Sequence, residues 1–423
     1  ERRSRAETPR ILPDETICYV RTIKNIPDCF TPDEWDEIRK GHFIHESGYI
    51  SNLSPDYAKA ISRGLVALRE EADEYGRRAI DNIIDLADRY RDEAVRVGRD
   101  DIAASLERVP RYGATNLREA LQFFRIIHFS LWLEGNYHVT TGRFDKYIYP
   151  YFKADMDKGI YTRETALELI EDFFISFNKD SDLYPGVQQG DNGQSMVLGG
   201  RDENGREWFS ELSELCLEAS RNLGLIDPKI NLRVSKSTPI DEYIKGTELT
   251  RAGLGFPQYS NDDVVIDGLV SLGYSPEDAA NYVVAACWEF IIPGCAFDVV
   301  NIGALSFPKV IDNVLHNSFS DCNDFDELMG KVRGEINAEC DSITSKIHDL
   351  WFVPSPFMTV MRDSIKYRNF GIHGTGIATA ADSLAAIRKY VYDEKTLTPA
   401  ELIAAVDDNF VKTPELLHKL RYD

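Results

Sequence analysis

The pattern of hydrophobic and polar positions along the 423-residue chain predicts long helices separated by short strands. Four helix starts share one pattern, in which a hydroxyl residue is the N-cap, proline occupies the first helical position and an acid follows in the first turn. Their N-cap residues are Thr31, Thr238, Ser275 and Thr398. Helical apolar spacing predicts further long helices at about 58–97, 116–134, 163–177, 207–221, 327–349 and 377–394.

Short apolar or alternating runs between these helices predict strands. They are residues 195–198, 230–234, 263–266 and 283–292. Short strands that alternate with long helices indicate an α/β fold with a largely enclosed sheet or barrel. The chain shows no low-complexity linker, no fixed-period repeat and no long charge block, so we predict one domain over residues 1–423.

Candidate chemistry lies in the last of these runs, where Cys287 and Glu289 are two residues apart. Side chains two apart in a strand point to the same face. Burying an unpaired carboxylate is very costly, so the simplest interpretation is that both side chains face a polar cavity. Without further context an inert core thiol is the commoner role for a cysteine in an apolar strand, because unbridged cysteines are among the most buried residues.

Composition narrows the function classes. The apolar fraction of 43% and the aromatic fraction of 11% are those of a globular protein. A formal net charge of −22 argues against nucleic acid or an anionic membrane as a partner. The sequence shows no signal-type segment and no apolar stretch of 18 residues, so nothing in it suggests export or membrane insertion.

The seven cysteines are scattered without Cys-x-x-Cys spacing, which predicts neither a zinc site nor a disulfide framework. The histidines show no metal-ligand spacing, so no metal is predicted. We read Cys295 as a packing residue and His373 as part of a helix entry, although its glycine-rich surroundings also suggest a phosphate loop. These features predict a reducing, cytoplasmic location.

Taken in order along the chain, a set of segments resembles the glycyl radical enzyme superfamily, which includes pyruvate formate-lyase, choline lyase and the diol and hydroxyproline dehydratases. The matching segments are residues 116–124, 134–138, 142–147, 197–200, 253–257 with 261–262, 287–289, 354–357 and 371–387. No single segment is decisive, but the collinear set covers essentially the whole chain.

The resemblance implies a ten-stranded α/β barrel of two antiparallel five-stranded halves, surrounded by helices and usually found as a homodimer. It implies that Cys287 becomes a thiyl radical that abstracts a substrate hydrogen, and that Glu289 is the general base of a Cys-x-Glu motif. The cofactor would be a glycyl radical, installed under anaerobic conditions by a separate iron–sulfur S-adenosylmethionine activase. The substrate would be a small molecule.

Three further residues are candidates for substrate binding by the same resemblance. His138 stands where relatives have a pocket histidine, although a hydrogen-bonded core histidine is an equal alternative. Trp288 is an aromatic residue inside the Cys-x-Glu motif, and extra aromatic surface suits an apolar or aromatic substrate. Asn301 occupies a position where diol dehydratases often have an aspartate, which weakens the dehydratase assignment.

The chain also departs from the family. A glycine loop reading like Arg-Val-Ser-Gly-Tyr is absent from these residues, and segments at the N-terminus and near residue 365 are shorter than in relatives. We therefore expect these residues to be parts of a longer protein. Three hypotheses remain: a glycyl radical lyase or dehydratase that cleaves a C–X bond, a radical decarboxylase of an aryl- or alkyl-acetate, and a split or inactive barrel that lacks its own radical domain.

Overall fold

The computed structural model describes residues 1–20, 28–45, 48–180, 193–287 and 289–422. Its α-helices are α1 Arg2–Ala6, α2 Pro32–Gly41, α3 Tyr57–Arg63, α4 Leu65–Glu71, α5 Glu74–Arg96, α6 Asp100–Arg108, α7 Leu117–Leu133, α8 Phe144–Tyr147, α9 Tyr149–Asp157, α10 Arg163–Lys179, α11 Glu211–Leu223, α12 Ile240–Arg251, α13 Asp262–Ser271, α14 Pro276–Ala280, α15 Phe307–Asn317, α16 Phe325–Ser345, α17 Pro356–Val360, α18 Ile377–Ile387, α19 Pro399–Asp407 and α20 Pro414–Tyr422. A 3₁₀-helix spans Phe319–Asp321, and a π-helix, Arg388–Asp393, follows α18 directly.

The strands are short. They are β1 Phe43–Ile44, β2 Ser51–Leu53, β3 Tyr137–Val139, β4 Ser195–Gly199, β5 Lys229–Val234, β6 Gln258–Asn261, β7 Val283–Ala285, β8 Glu289–Ile291, β9 Ala296–Ser306, β10 Leu350–Trp351 and β11 Tyr367–Thr375. Long helices and short strands confirm the predicted α/β class. Among the described residues the strands form one sheet of three and four sheets of two, so the closed ten-stranded barrel stays a prediction.

The chain divides into two compact units. The first takes in residues 1–40, 44–298 and 351–369, and the second takes in residues 41–43, 299–350 and 370–423. Strands β9 and β11 pair with each other, and the chain passes from one unit to the other within each of them.

Helix α7 is the centre of the first unit. Of its 17 residues, only Arg118 and Glu119 are not buried. A helix that is apolar on nearly all sides is stable only when other elements surround it. Its buried polar residues therefore have partners: Arg125 forms a fully buried ion pair of 2.7 Å with Asp180.

The three-stranded sheet of the first unit has the order β4-β5-β6 and is parallel. Ser195 lies opposite Lys229, and Gly199 lies opposite Arg233. All five residues of β4 are buried, as is typical of a parallel strand covered on both faces. The predictions of strands at 195–198 and 230–234 are confirmed.

The second unit has its own apolar core. It is formed mainly by helices α15, α16, α18 and α19, which contribute Val310, Leu328, Ala380 and Leu402, among others. Helix α19 begins as predicted, because Thr398 and Glu401 form a reciprocal capping box.

Other predicted elements differ from the structure. The predicted helix at 58–97 is three helices, because Gly64 breaks the first from the second with φ +82° and Asp73 caps the third by accepting the amide of Gly76 at 2.7 Å. Thr31 and Ser275 cap their helices as predicted. Thr238 does not, because its hydroxyl accepts the Ser235 amide instead.

Candidate active site

Cys287 lies in a turn and not in a strand. Strands β7 and β8 are antiparallel, with Ala285 opposite Glu289, so the chain reverses between these two residues in a tight hairpin, with Ala286 and Cys287 in its tip. The prediction of one continuous strand over 283–292 is therefore wrong. Both arms are short and mostly apolar, so the hairpin looks like one run in the sequence, and the reversal depends on a left-handed backbone at Ala286, with φ +48°.

The hairpin brings Cys287 and Glu289 together by a different route from the one predicted. The Cys287 amide donates a hydrogen bond of 3.0 Å to Oε2 of Glu289. Cys287 is exposed and Glu289 is partly buried. The Glu289 carboxylate is thus bound to the backbone of the residue that carries the thiol, and the turn, not the two-residue period of a strand, brings the two residues together.

Ser195 holds the same hairpin from the other side. Its hydroxyl donates to the backbone oxygen of Ala286 at 2.7 Å, and Ser195 is fully buried at the start of β4. Its own backbone oxygen accepts the Thr140 hydroxyl at 2.7 Å and the Thr141 amide at 2.8 Å. Ser195 therefore connects the residue before Cys287 to the chain that follows β3.

His138 lies on β3, two residues before Thr140. Its Nδ1 is 3.0 Å from Oδ1 of Asn52 on the parallel strand β2, and His138 is partly buried. Gly193 approaches the ring so closely that a Cβ atom there would lie 2.5 Å from the imidazole. His138 thus has the hydrogen-bond partner expected of a packed histidine. It also lies on the strand that leads to Thr140, which bonds Ser195. A role for His138 in a substrate pocket stays a prediction.

Two predicted site residues remain, Trp288 and Asn301. Trp288 lies outside the described residues. Asn301 lies on β9 in the second unit, with a left-handed backbone of φ +59°. The binding roles of both residues stay predictions.

The base of the hairpin is fixed by a buried ion pair that the sequence did not reveal. Arg233 on β5 makes two hydrogen bonds to Asp262, of 2.8 and 3.0 Å, and both side chains are fully buried. The same guanidinium donates to the backbone oxygens of Ala280 and Tyr282, at 3.0 and 3.1 Å. The Tyr282 hydroxyl donates to Asp262 at 2.7 Å, so strand β7 leaves from a fixed point.

A second buried polar group supports β4 next to this pair. Arg143 donates to the backbone oxygens of Arg201 and Gly199, at 2.8 and 2.7 Å. Burial, and then the nearby Arg233, lowers the pKa of Arg143 to about 10. Gly200 allows this close packing, because a Cβ atom there would lie 2.5 Å from Cβ of Arg233. In the sequence, the residues of this group could be found from two of the segments that carry the family resemblance. Arg143 lies in the segment 142–147, and Gly200 is the second glycine of the Gly-Gly pair in the segment 197–200.

Asp298 is a further carboxyl group near the hairpin. It accepts a hydrogen bond of 2.8 Å from Nδ2 of Asn369. Burial raises the pKa of Asp298 to about 6, the Asn369 hydrogen bonds oppose this rise, and the neighbouring charge of Glu289 adds to it. Sequence reasoning missed Asp298, because nothing in the local pattern separates it from an ordinary surface aspartate.

Cys295 is buried, and burial raises the pKa of its thiol to about 11, in keeping with a packing role. Within the described ranges, no group of three or more histidine, cysteine, aspartate or glutamate side chains could hold a metal ion. None of the helices in the described part of the chain is long and apolar enough to cross a membrane.

The chain is similar to known proteins along most of its length. A family model described as "Pyruvate formate lyase-like" matches residues 6–422. The (2S)-3-sulfopropanediol dehydratase of Klebsiella oxytoca is 30% identical over 332 residues, which cover 69% of this chain and 40% of that protein. The trans-4-hydroxy-L-proline dehydratase of Clostridioides difficile is 25% identical over 420 residues, which cover 87% of this chain and 52% of that protein.

A solved structure is similar as well. The glycerol-bound form of the B12-independent glycerol dehydratase from Clostridium butyricum matches with a TM-score of 0.75 and 24% identity, covering 86% of this chain and 55% of that chain. This likeness shows the fold alone. The chain spans about half the length of the curated relatives it matches.

Proposed function

Because the chain belongs to the pyruvate formate lyase-like family, whose model spans residues 6–422, we propose that it forms the thiol-bearing barrel of a glycyl radical lyase. The observation that carries the proposal is the hairpin tip, where the Cys287 amide donates to Glu289 at 3.0 Å and Cys287 is exposed. The substrate class is a small molecule with a hydroxyl group next to the carbon that carries the leaving group.

The residues fit the group that the family implies. A glycyl radical, installed by a separate S-adenosylmethionine activase, would supply the unpaired electron. Cys287 is exposed at the hairpin tip, and its thiol would give its hydrogen atom to that radical and so become the thiyl radical. In its thiyl form, Sγ takes a hydrogen atom from a substrate C–H bond, which leaves an intact S–H bond and a carbon radical.

Glu289 supplies the proton chemistry. Its carboxylate accepts the proton of the hydroxyl on the radical carbon while the C–X bond on the next carbon breaks and the leaving group departs with the electron pair. The product radical then takes the hydrogen atom back from Cys287.

Several wider features belong to the same proposal. We propose that residues 1–423 form one domain of a ten-stranded barrel, that the protein acts anaerobically as a homodimer in the cytoplasm, and that its activase is a separate protein. His138, Trp288 and Asn301 are proposed to line the substrate pocket. Support comes from the fold likeness to the glycerol dehydratase and from the seven scattered cysteines, which suit a reducing compartment.

The test uses the full-length protein with an active activase under anaerobic conditions. The panel contains glycerol, (2S)-3-sulfopropanediol, trans-4-hydroxy-L-proline and an arylacetate, with products identified by NMR. We expect loss of water or another leaving group from a hydroxylated substrate. Carbon dioxide release from the arylacetate alone would replace the lyase assignment with a decarboxylase, and an activated protein that converts none of the four compounds would contradict the proposed substrate class.

Glu289→Gln separates proton acceptance from structure. The Gln side chain keeps an oxygen that can accept the Cys287 amide, but it cannot take up a proton. We expect kcat to fall about 10²- to 10⁴-fold, the usual contribution of a general base, with an unchanged circular dichroism spectrum. A variant as active as the wild type would remove Glu289 from the mechanism.

A further inference from the structure

We infer that Ser195 is the positioning residue for the Cys287 thiol and the Glu289 carboxylate, acting through the single peptide group between Ala286 and Cys287. This inference rests on the proposed function, because it assigns Ser195 to the proposed reaction. Its structural part, that Ser195 holds the peptide group between Ala286 and Cys287 in place, can be tested without enzyme turnover.

One peptide group, between Ala286 and Cys287, takes part in both hydrogen bonds. A peptide is planar, so its C=O and N–H bonds turn together. The C=O of Ala286 accepts the Ser195 hydroxyl at 2.7 Å. The N–H of Cys287 lies in the same peptide plane, points in the opposite direction and donates to Glu289 at 3.0 Å. Ser195 and Glu289 therefore hold opposite edges of one rigid unit.

Ser195 is itself held independently of the hairpin. Its backbone oxygen accepts two hydrogen bonds, from the Thr140 hydroxyl and the Thr141 amide, and its side chain is fully buried. The preceding residue, Gln194, is buried and hydrogen-bonded to His128. The donor that reaches the hairpin is thus part of the rigid sheet.

Loss of the hydroxyl has a local consequence. Ala286 is buried, so its backbone oxygen would be left without its hydroxyl partner in an apolar setting, which is unfavourable. Ala286 is also held in a left-handed conformation that a residue with a Cβ atom rarely adopts. Rotation of the peptide relieves the first of these costs, although it leaves φ of Ala286 unchanged, and the same rotation turns the Cys287 amide away from Glu289.

The experiment compares Ser195→Ala with the matched control Ser176→Ala in the full-length protein. Ser176 is also buried in the first unit and donates its hydroxyl to a backbone oxygen, that of Phe173, at 2.6 Å. The first readout is hydrogen exchange of the Cys287 amide, resolved by fragmentation mass spectrometry without activation. We expect Ser195→Ala to speed this exchange about 5- to 100-fold, the range that one lost buried hydrogen bond corresponds to, and Ser176→Ala to leave it unchanged.

Two further variants extend the test. Glu289→Ala removes the second hydrogen bond to the same peptide. The exchange rate in the double variant with Ser195→Ala should therefore rise by less than the product of the two single increases. Ser195→Cys keeps a side chain of similar shape with a weak donor, and it replaces Ser195→Ala if that variant does not fold. We expect exchange in Ser195→Cys to be faster than in the wild type.

The second readout is turnover by the activated full-length enzyme. A misplaced thiol lowers kcat more than it changes KM, and we expect kcat to fall about tenfold or more in Ser195→Ala. Unchanged exchange at Cys287, or faster exchange spread evenly over the molecule, would overturn the inference. If Cys287→Ala retained activity, the proposed function would fail, while the exchange result would still decide how the peptide is held.

Discussion

Ala286 carries the strained backbone on which the candidate site depends. Its φ of +48° costs a residue with a Cβ atom about 1–2 kcal/mol, whereas glycine adopts this conformation freely. Its neighbour Ala285 lies in strand β7 and is also buried, so the two alanines differ chiefly in backbone conformation.

The same substitution at these two positions should therefore have different effects. Ala285→Gly should destabilise the protein by about 1 kcal/mol, because glycine is unfavourable in a strand, and Ala286→Gly should be neutral or slightly stabilising. Urea unfolding of both variants measures the difference. Equal losses of stability would mean that Ala286 is not strained in solution.

At this scale the sequence predicted the residue pair but not its geometry. The spacing of Cys287 and Glu289 indicated that the two residues belong together, and the structure joins them by a 3.0 Å hydrogen bond from the Cys287 amide to the Glu289 carboxylate. The contribution of Ser195 could not be predicted, because it lies 92 positions from Cys287 in the sequence. A contact between distant residues leaves no periodic signal in one sequence.

The elements around the hairpin are joined by the Arg233–Asp262 ion pair, which connects β5, α13 and the start of β7. Arg233→Ala leaves a buried carboxylate without its guanidinium and should destabilise the protein by about 3–5 kcal/mol. Thermal or urea unfolding measures this loss.

A matched control lies on the surface of the same unit. Arg69 and Asp81 form a similar two-bond pair, of 2.7 and 2.9 Å, but their side chains are 44% and 52% exposed. Arg69→Ala should cost much less stability than Arg233→Ala, because water screens an exposed ion pair. If the two arginine variants lost the same stability, burial would not be what makes the Arg233 pair important.

Helices α15 and α19 of the second unit are tied by a titratable pair. Nε2 of His316 lies 2.8 Å from Oδ1 of Asp407, and this hydrogen bond, followed by that to the Asp312 backbone oxygen, raises the pKa of His316. A histidine whose folded pKa is raised adds stability below its unfolded pKa, and this stability is lost as pH rises through the folded pKa.

Asp407→Asn should lower the His316 pKa toward its ordinary value, because the carboxylate charge is removed. NMR titration of the ring protons measures the change. Asp312→Asn is the control: it leaves the backbone oxygen at 2.8 Å in place, so the pKa should fall less. A larger fall in the control would contradict the assignment of Asp407 as the main partner.

Elements were predictable where capping chemistry is explicit. Thr398, with an acid three residues later, marked the start of α19 correctly. The prediction failed at 263–266, where three β-branched residues favoured a strand. The structure has helix α13 there, because Asn261 caps it by accepting the Asp263 amide at 3.0 Å and two acids occupy its first turn. A cap outweighed the strand propensity of β-branched residues.

For the whole molecule, the order of short motifs predicted the family, and the family match over residues 6–422 confirms it. Local patterns of hydrophobic residues could not predict whether the strands close into a barrel, because closure depends on pairing between strands that are far apart in the sequence. The described strands pair in twos and threes, and β4-β5-β6 is the largest such sheet.

The most direct test of the central claim replaces Cys287 by serine in the full-length protein, activates it anaerobically and measures both the electron paramagnetic resonance spectrum and product formation. Cys29→Ser is the control, because Cys29 is also exposed. The account predicts that both variants form the glycyl radical signal, that Cys29→Ser turns over like the wild type and that Cys287→Ser makes no product. Turnover by Cys287→Ser at the wild-type rate would contradict the assignment of Cys287 as the residue that abstracts hydrogen from the substrate.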